Sequence, residues 1–410
     1  MMKFARHIAP RLEESFKHCY VHILFGARQT GKTTLLRELL DPDLEYNLAD
    51  PEERGRLLAQ PGLFRRECEA AGVTGRRTTV FVDEAQLVPS VFDAIQVLYD
   101  REPSRFLFVL CGSSARKLRE TGANLLPGRS LLHHLYPLVL SERPGPGGYR
   151  PTLPGMPATE SKNSPASTDD LVERLSFGDL PGVLNAPAEI RESLLRSYAT
   201  IYLEEEIRRE GYVKDWGAFL NFLKLAAAES GQSLNYAKIS RETGLSQPTV
   251  KSHYQLLEDM FVGFRIPAFT GSTRKNLLGH ARFCFFDLGV RHAAAGLRPC
   301  EDTVLADPAS CFEQWVGLEL HRRIGYSGRG ALSYFRTRDG MEIDYILEFD
   351  KRLTPIDVKW TENPNPKDAR HLRTFLKEHG DEASEGYLVC RCHRPAKLAD
   401  NITAIPWWAI

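Results

Sequence analysis

The stretch Gly26-Ala27-Arg28-Gln29-Thr30-Gly31-Lys32-Thr33 constrains this chain more than any other part of it. Two glycines with four residues between them, followed at once by Lys and Thr, let successive backbone N–H groups curl around phosphate oxygens. Lys32 then offsets β/γ charge, and the Thr33 hydroxyl can reach a magnesium ion. The surroundings fit: Val21 to Phe25 is a short apolar strand, and residues 33–40 carry the 3.6-residue period of a helix. Two further apolar runs, 79–82 and 106–111, end in Asp83-Glu84 and Gly112-Ser113-Ser114, and another runs from Ser130 to Leu140. Such runs, separated by helical stretches, predict a parallel α/β sheet with its chemistry at the strand C-termini.

On that sheet Asp83 would hold the water shell of magnesium, and Glu84 would orient and polarise the attacking water. Ser113 and Ser114 read either as polar sensors of the γ-phosphate or as a simple turn. Arg129, in Leu125-Leu126-Pro127-Gly128-Arg129, reads either as a finger that reaches the nucleotide of a neighbouring subunit or as a surface arginine.

With 410 residues the chain is long enough for about three domains. Lys+Arg and Asp+Glu balance at 53 each, so any contact with nucleic acid must be local rather than driven by a global basic field. The N-terminus leads into charged residues, and no stretch approaches the ~18 apolar residues of a spanning helix, so the expectation is a cytoplasmic protein without a membrane partner. Eight cysteines are scattered, and Cys390, Cys392 and His393 lack a second ligand pair at zinc spacing, which points to reduced thiols.

These motifs together resemble a large prokaryotic family of AAA-type ATPases fused to a C-terminal domain of unknown function. The resemblance is carried by residues 26–35 (Gly-Ala-Arg-Gln-Thr-Gly-Lys-Thr-Thr-Leu), 81–86 (Phe-Val-Asp-Glu-Ala-Gln), 111–118 (Cys-Gly-Ser-Ser-Ala-Arg-Lys-Leu), 127–129 (Pro-Gly-Arg) and 177–183 (Phe-Gly-Asp-Leu-Pro-Gly-Val). It implies ATP and Mg2+ as cofactors and a homo-oligomer, a hexameric ring being one form. It assigns Arg28 and Gln29 to the phosphate loop and sets Gly178 and Pro181 where related ATPases turn a helical lid over the base. The nucleotide-binding set is then Gly26, Arg28, Gln29, Thr30, Gly31, Lys32, Thr33, Thr34 and Pro181, with Thr33 and Asp83 as magnesium partners.

Beyond the ATPase core (1–140), residues 141–170 are rich in Pro, Gly, Ser and Thr and read as a disordered insert. Residues 171–212 read as a helical lid, with an amphipathic helix from Ile190 to Glu210 that uses Leu194, Leu195, Tyr198, Ile201, Tyr202 and Glu205. Residues 213–278 have the rhythm of a winged helix. Ile239, Leu245 and Val250 fall at core positions, Ser246 caps the recognition helix, and Gln247, Thr249, Lys251, Ser252 and His253 line its outer face. DNA and a docked protein are both suitable partners for such a module.

Residues 279–410 carry Glu313 on a helix, Asp344 on a strand, and Asp357 with Lys359 on the next strand, an order that resembles the PD-(D/E)XK nucleases. Residues two apart on a strand share a face, so Asp357 and Lys359 project together. Glu313, Asp344 and Asp357 would hold a metal ion, Lys359 would activate water, and Arg336 and Arg338 would contact phosphate. The reading that unites these parts is an ATP-hydrolysing oligomer acting on DNA, with or without cleavage. The alternative is a nucleotide switch that docks protein partners through non-catalytic C-terminal folds.

Overall fold

The computed structural model describes residues 3–72, 76–114, 126–143, 148–149, 153, 161–162, 168–209, 213–271, 280–337 and 339–410. The chain divides into two units: one holds Lys3–Pro137 with Gln255–Val262, the other Leu138–Tyr254 with Gly263–Ile410.

In the first unit five parallel strands, β1 (Val21–Phe25), β2 (Leu44–Asn47), β3 (Thr78–Asp83), β4 (Phe106–Gly112) and β5 (Ser130–His134), lie in the order β2-β3-β4-β1-β5. Every residue of β1, β3 and β4 is buried, as expected of strands covered on both faces. Register pairs Phe25 with Gly112 and Val82 with Leu110, so the three strands end side by side. The run expected from Ser130 to Leu140 stops as a strand at His134, where β1, its partner, also ends. Phe261, in left-handed backbone at φ 57°, packs its ring against Phe25 and His134, with centroids 5.7 and 4.9 Å apart.

The second unit begins with the helices Thr168–Phe177 and Ala188–Ser197. Periodicity predicts a single long helix from Ile190 to Glu210. Instead, a π turn at Tyr198–Tyr202 interrupts it before Leu203–Arg209. The extra residue of that turn shifts the helical phase, which leaves Leu195 and Tyr198 buried and Ile201 57% exposed. Leu171 and Leu175, expected in a separate lid, share one core with Phe312, Trp315, Tyr345 and Ile356 of the C-terminal region. Most of the expected disordered insert lies outside the described residues. Leu153, within it, is buried in this same core.

Helices Trp216–Ala228, Tyr236–Thr243 and Gln247–Asp259 precede the antiparallel pair β6 (Gly263–Ile266) and β7 (Arg282–Phe285), the element order expected of a winged helix. Asp215 and Asn235 cap the first two helices, and the Ser246 hydroxyl accepts the Thr249 N–H of the third at 3.3 Å. His253 corrects the expected recognition face. It is buried against Phe219 and Phe222, and burial lowers its pKa to about 4.

A six-stranded mixed sheet completes the unit in the order β8-β9-β10-β11-β13-β12. Its strands are β8 (Ala331–Arg336), β9 (Glu342–Phe349), β10 (Arg352–Val358), β11 (Gly386–Cys390), β12 (Ala396–Ala399) and β13 (Ile402–Pro406). The 20-residue helix Pro308–Ser327, capped by Asp307, packs on it. All eight cysteines are free thiols. Among the described residues no helix is long and apolar enough to cross a membrane.

Candidate nucleotide site and C-terminal acid cluster

The phosphate loop leaves β1 at Gly26, where an added Cβ would meet the Leu135 carbonyl oxygen at 2.2 Å, so only glycine lets the chain pass. Gly31, at φ 93°, ends the loop and opens the helix Lys32–Leu39. Between them Gln29 is left-handed at φ 63°, Thr30 is fully buried with its hydroxyl on the Ala27 carbonyl (2.9 Å), Arg28 is half-buried, and Thr34 is exposed. Lys32 is 5% exposed, and its Nζ donates to the Gly26 and Ala27 carbonyls at 2.8 and 3.0 Å. Those are weak neutral acceptors beside a buried ammonium, partners that a phosphate would outcompete. The sequence reading missed Arg6. Its guanidinium donates to the Thr30 carbonyl at 2.7 Å and to that of Tyr136 at 2.6 Å, bracing the loop from behind.

Asp83, at the end of β3, accepts from the Thr33 hydroxyl at 2.8 Å and from the Cys111 thiol at 2.8 Å. Cys111 keeps its proton, because complete burial and the adjacent Asp83 carboxylate push its pKa well up. Glu84 is left-handed at φ 55°, a conformation that costs a non-glycine residue on the order of 1 kcal/mol or more and that gathers at functional sites. Its carboxylate accepts from the Ser113 hydroxyl at 3.1 Å and from the Gln86 amide at 2.5 Å, and Gln86 also donates to Ser113 at 3.2 Å. Ser114 is buried beside this group. Gln86 and Cys111 stand in the segments 81–86 and 111–118 that carry the resemblance, but spacing alone gives neither of them a role. Cys111 is reached only through register, since Val82 opposite Leu110 sets Asp83 beside Cys111. The donor set fits a magnesium nucleotide: Thr33 and Asp83 converge on one point, and every hydrogen-bond partner named here for the two carboxylates is neutral, leaving their negative charge to attract a cation.

Arg129 and Pro181 are two further expected residues. Arg129 precedes β5 at the strand ends opposite the loop, and holds Asp100 through Nε at 2.5 Å and Nη2 at 3.1 Å. It therefore does not act on the nucleotide of its own chain. Pro181 opens the short helix Pro181–Leu184 in the second unit. The neighbouring Gly178 is dictated by Asp287, whose carboxylate an added Cβ would meet at 2.1 Å. Asp287 accepts the Asp179 N–H at 2.7 Å, and Arg322, 1% exposed, bonds Asp179 at 2.8 Å and the Leu138 and Phe286 carbonyls at 2.9 and 3.0 Å. The Phe177–Val183 segment thus anchors helices to the core of its own unit.

In the C-terminal sheet β9 and β10 bring Asp344 and Asp357 together. The Val358 N–H donates to Asp344 at 2.7 Å, and the Asp344 N–H lies 3.4 Å from Asp357 Oδ1. Burial and mutual repulsion push the Asp357 pKa well up, with Lys359 opposing the shift. Glu313 is raised to about 7 by burial and by Asp344, again against the pull of a cation, Arg282. That arginine starts β7, lies under the Tyr334 ring at 4.5 Å, and donates to Glu313 at 2.7 Å and to Glu342. The residues expected to hold a metal do not fit one here: Glu313 is committed to a guanidinium, and burial pushes Asp344 and Asp357 toward their protonated, uncharged forms. Among the described residues no three His, Cys, Asp or Glu side chains form a group that could hold a metal ion. Arg336 pairs with Glu342 at 3.9 Å, and Arg338 lies outside the described residues.

Comparison with known proteins matches residues 19–143 to an AAA domain, 168–301 to a domain of unknown function (DUF8612), and 309–410 to another (DUF4143). An uncharacterized protein of Mycobacterium tuberculosis is 23% identical over 404 residues, covering 98% of this chain and 83% of that one. One from Haemophilus influenzae is 25% identical over 385 residues, 86% of each chain. A solved signal transduction ATPase with numerous domains and a tetratricopeptide repeat sensor, from Pyrococcus horikoshii, aligns at 12% identity and a TM-score of 0.25. This alignment covers 80% of this chain and 48% of that one. The chain accordingly carries an AAA-type ATPase domain, followed by DUF8612 and DUF4143 domains.

Proposed function

We propose that this chain is a magnesium-dependent ATPase whose hydrolytic residue is Glu84. The observation that carries this reading is the convergence of Thr33 with Asp83, and of Ser113 and Gln86 with Glu84, at the strand ends beside the phosphate loop. Lys32 and the loop N–H groups bind the phosphates, and Thr33 and Asp83 would hold Mg2+, which when bound neutralises phosphate charge. Ser113 and Gln86 hold the Glu84 carboxylate where it can accept a hydrogen bond from the attacking water and orient it. A role for Arg129 in a neighbour's site requires a second copy that draws it from Asp100.

Lys32→Ala should abolish tight ATP binding, whereas Glu84→Gln should keep binding and lower turnover by roughly 10²–10⁴-fold. Binding of a fluorescent ATP analogue and phosphate release from the same preparations check both. Unchanged turnover in Glu84→Gln removes that residue from catalysis.

A cleft of 540 Å³ in the C-terminal sheet favours a second element of function, binding of a nucleic-acid backbone. Lys359, Lys367, Arg370, His371 and Arg373 line it against Asp357 and Asp368. Lys359, Lys367, Arg370 and Arg373 are exposed, as phosphate-contacting cations must be. With no fitting metal set beside it, the cleft binds rather than cuts.

A further inference from the structure

We infer that Arg282 is the built-in cation of the C-terminal acid cluster, doing for Glu313 and Glu342 what a divalent ion does in a metal-dependent site, so that metal binding there is suppressed while Arg282 stays. The inference rests on the cleft reading above for its setting beside a phosphodiester site. A metal site needs carboxylates free to turn negative charge toward the ion, and in this cluster burial already pushes Asp344 and Asp357 toward their protonated forms. Here the planar guanidinium bridges two others: Nη1 donates to Glu313 from the Pro308–Ser327 helix and Nη2 to Glu342 from β9. Its own surroundings fix it. The side chain is 6% exposed, Tyr334 stacks on it at 4.5 Å, and Tyr334 in turn donates to the His280 carbonyl at 2.7 Å. Asp344 adds further attraction to the guanidinium.

The lock also touches the cleft. His371, which lines it, hydrogen-bonds the Glu342 carbonyl at 3.0 Å, so the residue that pairs with Arg282 is backed by a cleft residue. By offsetting one of the two carboxylate charges from inside the protein, Arg282 lessens the repulsion that an incoming phosphate meets. The cleft can therefore accept a phosphodiester without the metal that usually screens such acids.

Titration of Mn2+ into the nucleotide-free full chain, followed by the electron paramagnetic resonance of free Mn2+, tests this. Wild type should show no saturable site in the micromolar range. Arg282→Gln should gain one at least tenfold tighter, and Arg282→Gln/Asp344→Asn should lose it. Mn2+ should also raise the melting temperature of Arg282→Gln and leave that of wild type unchanged, a readout that separates metal capture from lost packing. A folded Arg282→Gln that gains no Mn2+ overturns the inference. Should that variant not fold, wild type and Asp344→Asn decide: equal, weak binding agrees with the inference, and tight wild-type binding lost in Asp344→Asn overturns it. Loss of DNA binding on neutralising Lys367, Arg370 and Arg373 bears on the cleft alone, so the two ideas fail separately.

Discussion

The chain contains two groups of carboxylates with a lysine nearby, and they differ in what the acids face. Asp83 and Glu84 accept from a threonine hydroxyl, a thiol, a serine hydroxyl and an amide. Glu313 and Glu342 accept from Arg282. Neutral donors position a carboxylate and leave its charge in place, whereas a buried guanidinium shared by two carboxylates positions both and offsets one of their two charges. One arrangement suits a site that takes up Mg2+ with its nucleotide, the other a site that holds its shape without a metal. Residue types alone do not separate the two; the partners do.

Acidification should expose the largest difference between the units. In the first, His22 and His133 stack with centroids 5.6 Å apart, and burial, with mutual repulsion in the case of His22, lowers each pKa to about 4. The unfolded chain, with histidine near 6.5, then binds more protons, so this stability is complete above about pH 6.5 and is lost as pH falls toward 4. The loss is on the order of 3 kcal/mol for each histidine. In the second unit His253 and His292, both lowered to about 4 mainly by burial, lose stability in the same direction. Glu313 and Asp287 oppose them. Burial raises these acids to about 7 and about 6, so protonation below those values favours the folded form. Calorimetry at pH 7.5 and pH 5 should therefore show the transition of the first unit dropping further than that of the second. A common shift would break the contrast.

A smaller effect is expected at the cleft. Replacing Lys367, Arg370 and Arg373 by alanine should lower the slope of log affinity against log salt for duplex or single-stranded DNA by roughly 1 per residue that meets a phosphate. ATP turnover without DNA should not change. Wild-type protein that binds no DNA at low salt would favour the docking of protein partners instead.

The phosphate loop, Asp83, Glu84 and Ser113 were legible in the sequence because their chemistry is local: a fixed spacing after an apolar strand allows few other structures. Arg6 and Cys111 were not. Each meets the site through tertiary placement, Arg6 from 24 residues before Thr30 and Cys111 through strand register. Periodicity failed where the chain departs from regular geometry, as at the π turn that rotates Ile201 to solvent. It failed also at His253, where a polar residue type concealed an apolar environment. Glu313 falls on a helix and Asp344 and Asp357 on neighbouring strands, as their order predicts, but Arg282 lies 31 residues before Glu313, and no spacing rule connects them.

Counting bound metal in the presence of nucleotide tests the account most directly. With Mn2+ and a non-hydrolysable ATP analogue, wild type should hold one tightly bound Mn2+ per chain; Asp83→Asn should lose it, and Asp344→Asn should keep it. Two tight Mn2+ per chain, or one that disappears with Asp344→Asn and survives Asp83→Asn, would contradict the claim that the tightly bound metal sits beside the phosphate loop and not in the C-terminal acid cluster.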